Sequence, residues 1–371
     1  MSPSLRFPEF NGEWEYFSIN DVCSEFKSGK NIKADLISSN GNFPVYGGNG
    51  LRGYTSSYNH DGLYVLIGRQ GALCGNVRSV FGKIYITEHA IAVAGNEKSD
   101  TNFLHYLFLK MNLGQYSDQS AQPGLAVNKL LKLKVLLPSI SEQIKIAKLL
   151  SLLDERIAVQ SRLIDRLQSL IKGINRTIFT GSGLEYSLCD VCEIRSGYSG
   201  NQLQGGKGLG VSRIETISAH NINLERIGYV APFDASENYR LQVGDILFSN
   251  INSVEYIGNT AFIDKDYNLY HGMNLLRLIP FRNVVVPFYL YILLNTNRML
   301  KHFKTICNKA VSQASINQKE LGKTIVMLPS LEKQKQVCNI YQAMYSKLKT
   351  EKDVLSFYQE QKRYLLRHMF I

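Results

Sequence analysis

Few residues in this chain have the types and spacing needed to make or break a covalent bond. Gly200 to Gly208 (GNQLQGGKG) has the glycines and lysine of a loop that cradles phosphate with backbone N–H groups. Its spacing is one residue too long, and Gly208 stands where a magnesium-binding Ser or Thr is required. Adenine methyl transfer needs an (Asn/Asp)-Pro-Pro-aromatic loop to hold the target amino group, and none of the nine prolines is followed by another. Pro232-Phe233-Asp234 with Glu237 lacks the following lysine that would complete a nuclease carboxylate cluster. His89 and His271 have no matched ligands or nucleophile, so packing or hydrogen bonding is expected of them. Cys189-Asp-Val-Cys192 is a lone CxxC without a second pair at zinc-finger spacing, and the six cysteines are expected to be small buried hydrophobes. This balance favours recognition over catalysis.

The elements that must position any recognition surface are clearer. Val135 to Phe179 opens with a strand-like apolar run and Pro138, offers Ser139 or Ser141 as a helix cap, and continues helically without proline. The same design returns from Val326 to the C-terminus. An offset of 191 carries Pro138 onto Pro329, Ser139 onto Ser330, Gln143 onto Gln334, Arg176 onto Arg367 and Phe179 onto Phe370. An offset kept over such a length marks an internal duplication.

Within the first helix Ile146, Leu150, Leu153, Ile157, Gln160, Ile164, Leu167, Ile171, Ile174 and Ile178 follow alternating steps of four and three, a coiled-coil seam. The second seam reads Val337, Tyr341, Met344, Leu348, Glu351, Leu355, Tyr358, Lys362, Leu365 and Met369. Gln160 and Glu351 fall at equivalent places near mid-helix. The shared polar break predicts that the helices pair antiparallel, with Gln160 and Glu351 fixing their register.

The net charge is +11, and its location matters. Residues 1–138 hold 13 Lys and Arg against 11 Asp and Glu, and residues 181–329 hold 14 against 12. The helical stretches 139–180 and 330–371 hold 7 against 4 and 8 against 4, so most of the excess is helical. A basic chain suits a polyanionic partner, although basic helices are also simply soluble ones. No apolar run approaches the ~20 residues of a membrane span, and the first residues carry no basic-then-apolar leader, so a cytoplasmic location is expected.

Residues 1–138 read as irregular β-structure with one helix. Asn49-Gly50 and Asp61-Gly62 are turn signals, Leu63–Ile67 and Lys83–Thr87 are strands, and Phe103–Met111 is apolar at helical spacing. Residues 181–325 repeat the order, with strands at Asp245–Phe248 and Thr260–Ile263 and a helix at Phe288–Leu294. Weaker echoes pair Asp21-Val22-Cys23 and Ser28-Gly29 with Asp190-Val191-Cys192 and Ser196-Gly197, Gly75-Asn76 with Gly258-Asn259, and His89 with His271. The expected class is α+β: two mixed domains, 1–138 and 181–329, joined by long helices 139–180 and 330–371 in an antiparallel coiled coil with an internal pseudo-twofold repeat.

The order domain, helix, domain, helix, with LLPSISEQ at Leu136–Gln143 and MLPSLEKQ at Met327–Gln334 opening the helices, resembles the specificity (S) subunit of bacterial type I restriction–modification systems. Arg176–Phe179 and Arg367–Phe370 look like that family's helix endings, and Leu5–Trp14 looks like its common start. One departure is Lys333, which stands where the first copy has Glu142. A carboxylate in the first helical turn favours the dipole by about 0.3–1 kcal/mol and a lysine opposes it, so the contacts of Glu142 are not expected to repeat.

The resemblance implies two target-recognition domains, each reading one half of a bipartite duplex site. The helices would set the spacing and dock methyltransferase subunits, two of them expected, and restriction and translocase subunits would join. S-adenosylmethionine, ATP and magnesium would belong to those partners, leaving this chain without catalysis, cofactor or membrane contact. Base edges favour Arg, Lys, Asn and Gln, and glycine neighbours let a backbone approach. The candidate readers are therefore Lys30, Asn31, Asn49, Arg52, Arg69 and Gln70 in the first half, and Tyr198, Asn201, Gln202, Lys207, Asn250 and Asn252 in the second. Arg69 and Gln70, between a strand and Gly71, lead that set. Rival readings are a free-standing DNA-binding adaptor or regulator that dimerises through its coiled coil, and a solitary nuclease whose site is invisible to motifs.

Overall fold

A computed structural model of the chain describes residues 3–118, 124–178, 183–203, 206–218, 221–310 and 313–371, with side chains from 175 to 178 excluded. The anticipated helix ending Arg176–Phe179 therefore lies outside the described side chains. The chain divides into two compact units, Met1–Leu163 with Glu351–Ile371, and Ile164–Thr350. Each unit takes part of both long helices.

In the first unit, β1 (Glu15–Ser18) pairs antiparallel with β8 (Lys134–Leu137), which leads into the first long helix. Six further strands form one sheet: β2 (Cys23–Ser28), β3 (Phe43–Gly47), β4 (Gly50–Thr55), β5 (His60–Gly68), β6 (Val77–Ile86) and β7 (Ala90–Gly95), in the order β2-β7-β5-β6-β3-β4. Across the intervening β7, His60 at the start of β5 reaches Glu25 on β2 at 2.9 Å. Helix α1 (Thr101–Met111) starts where Asp100 accepts from the Phe103 N–H at 2.9 Å and ends at Asn112, whose φ is 48°. Its Phe103, Leu104, Leu107 and Phe108 are buried with Val65, Ile67, Ile91 and Val93 of the sheet. Each such side chain contributes about 1.5–3 kcal/mol when fully removed from water. Asp61-Gly62 is not a turn. Both residues lie within β5, where Gly62 (φ 128°) sits opposite Gly82 (φ 101°) and lets the hairpin bend without breaking its ladder.

The second unit repeats the entry to its domain. Ser18 and Asp21 form a capping box after β1, and Ser187 with Asp190 forms the same box after β9 (Leu184–Ser187), each with a 3.0 Å bond from the Ser N–H to the carboxylate. Strand β10 (Cys192–Ser196) then joins β15 (Leu276–Pro280), β13 (Ile246–Phe248) and β14 (Thr260–Phe262) in a sheet ordered β10-β15-β13-β14. A smaller pair, β11 (Leu209–Val211) and β12 (Gly228–Val230), lies outside that sheet. Helix α2 (Pro287–Leu294) has little polarity on any face and packs Tyr289, Leu290 and Leu293 against Phe248 and Phe303. Strand β16 (Ile325–Leu328) pairs with β9 and leads into the second long helix. The cysteine expectation holds for Cys192, Cys307 and Cys338, which are buried, whereas Cys23 and Cys74 are half-buried and Cys189 is exposed.

The long helices are α3 (Ile140–Ile178) and α4 (Leu331–His368). Gln143 and Gln334 anchor them identically. Gln143 donates to the carbonyls of Pro138 and Lys98, both at 2.9 Å, and accepts from the Asp100 N–H at 3.0 Å. Gln334 donates to Pro329 at 2.9 Å and Val284 at 3.3 Å, and accepts from Val286 at 2.8 Å. Each glutamine thus ties its helix to the loop that starts α1 or α2, and both are fully buried. In the first unit the Gln160 amide donates to the Glu351 carboxylate, and to the Glu351 carbonyl at 2.9 Å. Asp154 accepts from Lys362 at 2.5 Å, so as α3 runs backward from 160 to 154 α4 runs forward from 351 to 362. The helices are antiparallel there. Ile146, Leu150, Leu153, Ile164 and Leu348 are buried, and Ile157, Leu355 and Tyr358 are half-buried.

Candidate nucleic-acid interface

In the first unit the candidates gather around the short connection from Ile86 to Ala90. The Gly29 N–H donates to Ala90 and the Lys30 N–H to Ile86, both at 3.0 Å. Thr87 donates to Tyr46 at 2.9 Å, and Arg69 donates to His89 at 2.9 Å. The Gln70 amide oxygen meets His89 Nδ1 at 3.1 Å. A Cβ at Gly48 would lie 2.8 Å from the His89 carbonyl oxygen, so only glycine lets the β3–β4 loop close against this connection. Lys30, Asn49, Arg69 and Gln70 are thereby brought to one loop cluster. Arg52, exposed on β4, belongs with them, because a Cβ at Gly47 would sit 2.9 Å from its Cδ. Asn31 is exposed nearby, and its carbonyl accepts from the Tyr85 hydroxyl at 3.1 Å.

Arg78 was missed by sequence reading. Exposed on β6, its guanidinium covers Gly50 and borders a hollow floored by Gly47, Gly48 and Gly68. It lies on β6 (Val77–Ile86) ahead of the strand expected from Lys83, and Val77 and Val80 belong to different cores, so the burial around Arg78 shows no simple alternation in the sequence. His89, noted in the sequence as an isolated histidine, is the side chain that Gln70 orients, and it also meets Glu88 at 3.1 Å.

The second unit arranges its candidates differently. The Tyr198 N–H donates to the His271 carbonyl at 2.9 Å, and its ring stacks on Phe233 at 3.6 Å with Tyr239 edge-on at 5.6 Å. Gln202 bridges Val230, with its side chain against Gly228, while Asn201 and Lys207 are exposed. Asn252 is engaged locally, donating to Ser249 Oγ at 3.0 Å and accepting from the Ser253 N–H at 2.8 Å. Asn250 donates to the Ile316 carbonyl at 3.3 Å, and its buried side-chain oxygen has no hydrogen-bond partner. His271 is packed as expected: burial pushes its pKa down to about 4, and Nε2 meets the Leu275 carbonyl at 3.0 Å.

Backbone bonds make Arg69 and Asn250 counterparts. Gly68 donates to Asn76 at 2.8 Å and accepts from Gly75 at 2.7 Å, and Ser249 donates to Asn259 at 2.8 Å and accepts from Gly258 at 2.9 Å. Beyond each closed loop the next carbonyl is held from the segment leading to a long helix, Arg69 by Leu125 at 2.9 Å and Asn250 by Ile316 at 2.8 Å. One frame thus presents a guanidinium in one half and an amide in the other. Among the described residues no group of His, Cys, Asp and Glu could hold a metal ion.

A family model described as the type I restriction modification DNA specificity domain matches this chain twice, over residues 11–169 and 184–356. The chain belongs to that family. A specificity subunit of the EcoprrI type I restriction enzyme from Escherichia coli is 42% identical over 154 residues, which is 40% of this chain and 38% of the relative. A putative MjaX specificity subunit from Methanocaldococcus jannaschii is 38% identical over 187 residues, 49% of this chain and 44% of the relative. The match thus spans about two fifths of these curated relatives. The S subunit of Mycoplasma genitalium shares the fold over 100% of this chain and 99% of its own at a TM-score of 0.71 and 18% identity. A structure described for complex assembly and conformational transition of the type I R-M system covers 97% and 98%, with a TM-score of 0.59 and 17% identity. In this specificity family member, no helix among the described residues is long and apolar enough to cross a membrane.

Proposed function

We propose that this chain is the non-catalytic sequence-specificity subunit of a type I restriction–modification complex, each half reading one part of a bipartite duplex site. The observation that carries the reading is the family match occurring twice, on two units that share one loop frame and one helix anchor. The division proposed is recognition by residues 1–138 and 181–329, with 139–180 and 330–371 as spacers. A helix of 39 residues spans about 58 Å at ~1.5 Å per residue, more than one DNA turn of ~34 Å. Two methyltransferase subunits would dock on the helices, bringing S-adenosylmethionine, and a restriction and translocase subunit would bring ATP and magnesium, all in the cytoplasm. Exposed Leu152, Val159 and Leu163 on α3 and Phe357 on α4 support a helix-docking role, since they lie off the seam.

Base reading falls first to Arg69, Gln70, Lys30, Asn49, Arg52 and Arg78, and in the second half to Asn201 and Lys207. Tyr198, Gln202, Asn250 and Asn252 then serve mainly to shape loops. The test is coexpression with a type I methyltransferase subunit followed by methylation mapping. N6-methyladenine at one two-part motif with a fixed gap is expected. A soluble assembled complex that adds no methylation would overturn the reading in favour of a DNA-binding adaptor. Arg69→Ala is expected to relax specificity at one or two positions of the first half-site; uniform weakening on every sequence would make Arg69 a phosphate contact.

A further inference from the structure

We infer that the groove beside the start of α4 is a docking site for an extended partner segment bearing an aromatic residue and a carboxylate. In the first unit the matching place is filled by the chain itself. Arg6 donates to both oxygens of Glu142, at 2.8 and 2.7 Å, and to the Gly12 carbonyl at 2.6 Å, folding residues 5–14 against the start of α3. Phe7 packs on the core, Lys145 stands 4.7 Å over its ring and pairs with Glu9, and Trp14 is buried at 6.3 Å from Phe103. Glu142 is only 1% exposed beneath this cover.

The second unit keeps the frame and, among the described residues, lacks the cover. The shared capping boxes place Gly183 where Trp14 stands, and the shared glutamine anchors place Lys333 where Glu142 stands. The groove is lined by Leu184, Tyr186, Val284, Leu328, Leu331 and Lys333, with Gly183 at one end. Leu184 and Lys333 are exposed. Residues 140–178 are spent on α3, and residues 179–182 are too few to repeat an arm as long as residues 3–14. The occupant proposed is a segment of a partner chain. Its charge follows from the exchange of Glu142 for Lys333. An arm carrying Arg6, as in a second copy of this chain, meets like charge there, whereas a segment with a carboxylate in that place restores the pair. The apolar wall calls for an aromatic residue in the role of Phe7 or Trp14.

The experiment uses the full chain and two fluorescein-labelled peptides: residues 5–14 as they stand (LRFPEFNGEW), and the same with Arg6→Glu (LEFPEFNGEW). Fluorescence anisotropy is expected to show the Arg6→Glu peptide binding the wild-type chain. Lys333→Glu is expected to weaken that binding about tenfold and to strengthen binding of the native-sequence peptide. Lys333 is exposed, so the variant keeps its fold, which circular dichroism checks. Absence of binding by the Arg6→Glu peptide, or equal binding to both chains, overturns the proposal. The outcome is independent of the methylation experiment, which reads DNA recognition.

Discussion

In the first half, Lys30, Arg52, Arg69 and Arg78 put cations on a single loop cluster. In the second, the frame that carries Arg69 carries Asn250, and Tyr198, Phe233 and Tyr239 form a half-buried aromatic cluster. The helix anchors, by contrast, are the same in both halves down to the backbone groups they contact. The difference teaches where duplication constrains a protein. A buried glutamine with three hydrogen bonds tolerates little change, because each lost partner leaves a desolvated polar group. Loops facing solvent lose nothing in stability when their side chains change, so they are free to diverge toward different targets.

The largest effect that would sharpen this comparison is at the start of the long helices. Arg6→Ala leaves Glu142 buried without its cation and is expected to cost about 3 kcal/mol, read by chemical denaturation. Lys333→Ala, its counterpart position in the second half, is expected to change stability by less than about 0.5 kcal/mol. Equal losses would show that Lys333 has a partner in the isolated chain.

Acid should act on both halves alike. Burial holds His105 and His271 down to about 4, so both rings stay neutral in the folded state while the unfolded chain protonates near 6.5. Stability is then full above about pH 6.5 and is lost as pH falls toward 4, by up to about 3 kcal/mol for each ring. His271→Phe should remove the second half's share of the acid slope; an unchanged slope would assign it to other groups.

Gln143→Ala and Gln334→Ala are expected to destabilise their own halves by similar amounts, about 2 kcal/mol, with faster amide exchange starting at α1 or α2. A marked inequality would break the equivalence of the anchors. Gln160→Leu together with Glu351→Leu should stabilise the chain by about 1 kcal/mol while leaving the helices paired, and a collapse of stability would show that the polar pair does more than hold register.

Much of this was legible in the chain. The Pro-Ser opening, the step of four and three, and the offset of 191 foretold both long helices and the meeting of Gln160 with Glu351, because helical periodicity is written in nearby residues. Lys362, a charged residue in the second seam, pairs with Asp154 beside the Tyr106 ring. Asp61-Gly62 misled because a turn dipeptide also fits a bent strand when another glycine lies opposite. Arg78 escaped because its exposure depends on where β6 begins. For Asn250, the sequence offered a polar residue on a loop and could not show that Ile316, far along the chain, engages both its amide and its carbonyl.

The sequence by itself determined the duplication, the starts of both long helices, their seam, and the absence of familiar catalytic motifs, since these rest on local pattern and composition. Only the tertiary structure decided which polar side chains stand free and which are consumed in holding loops. It also decided that Glu142 lies under an arm while Lys333 faces an open groove. Those outcomes depend on contacts between residues distant in the chain, and no local spacing records which distant group arrives to meet a given side chain.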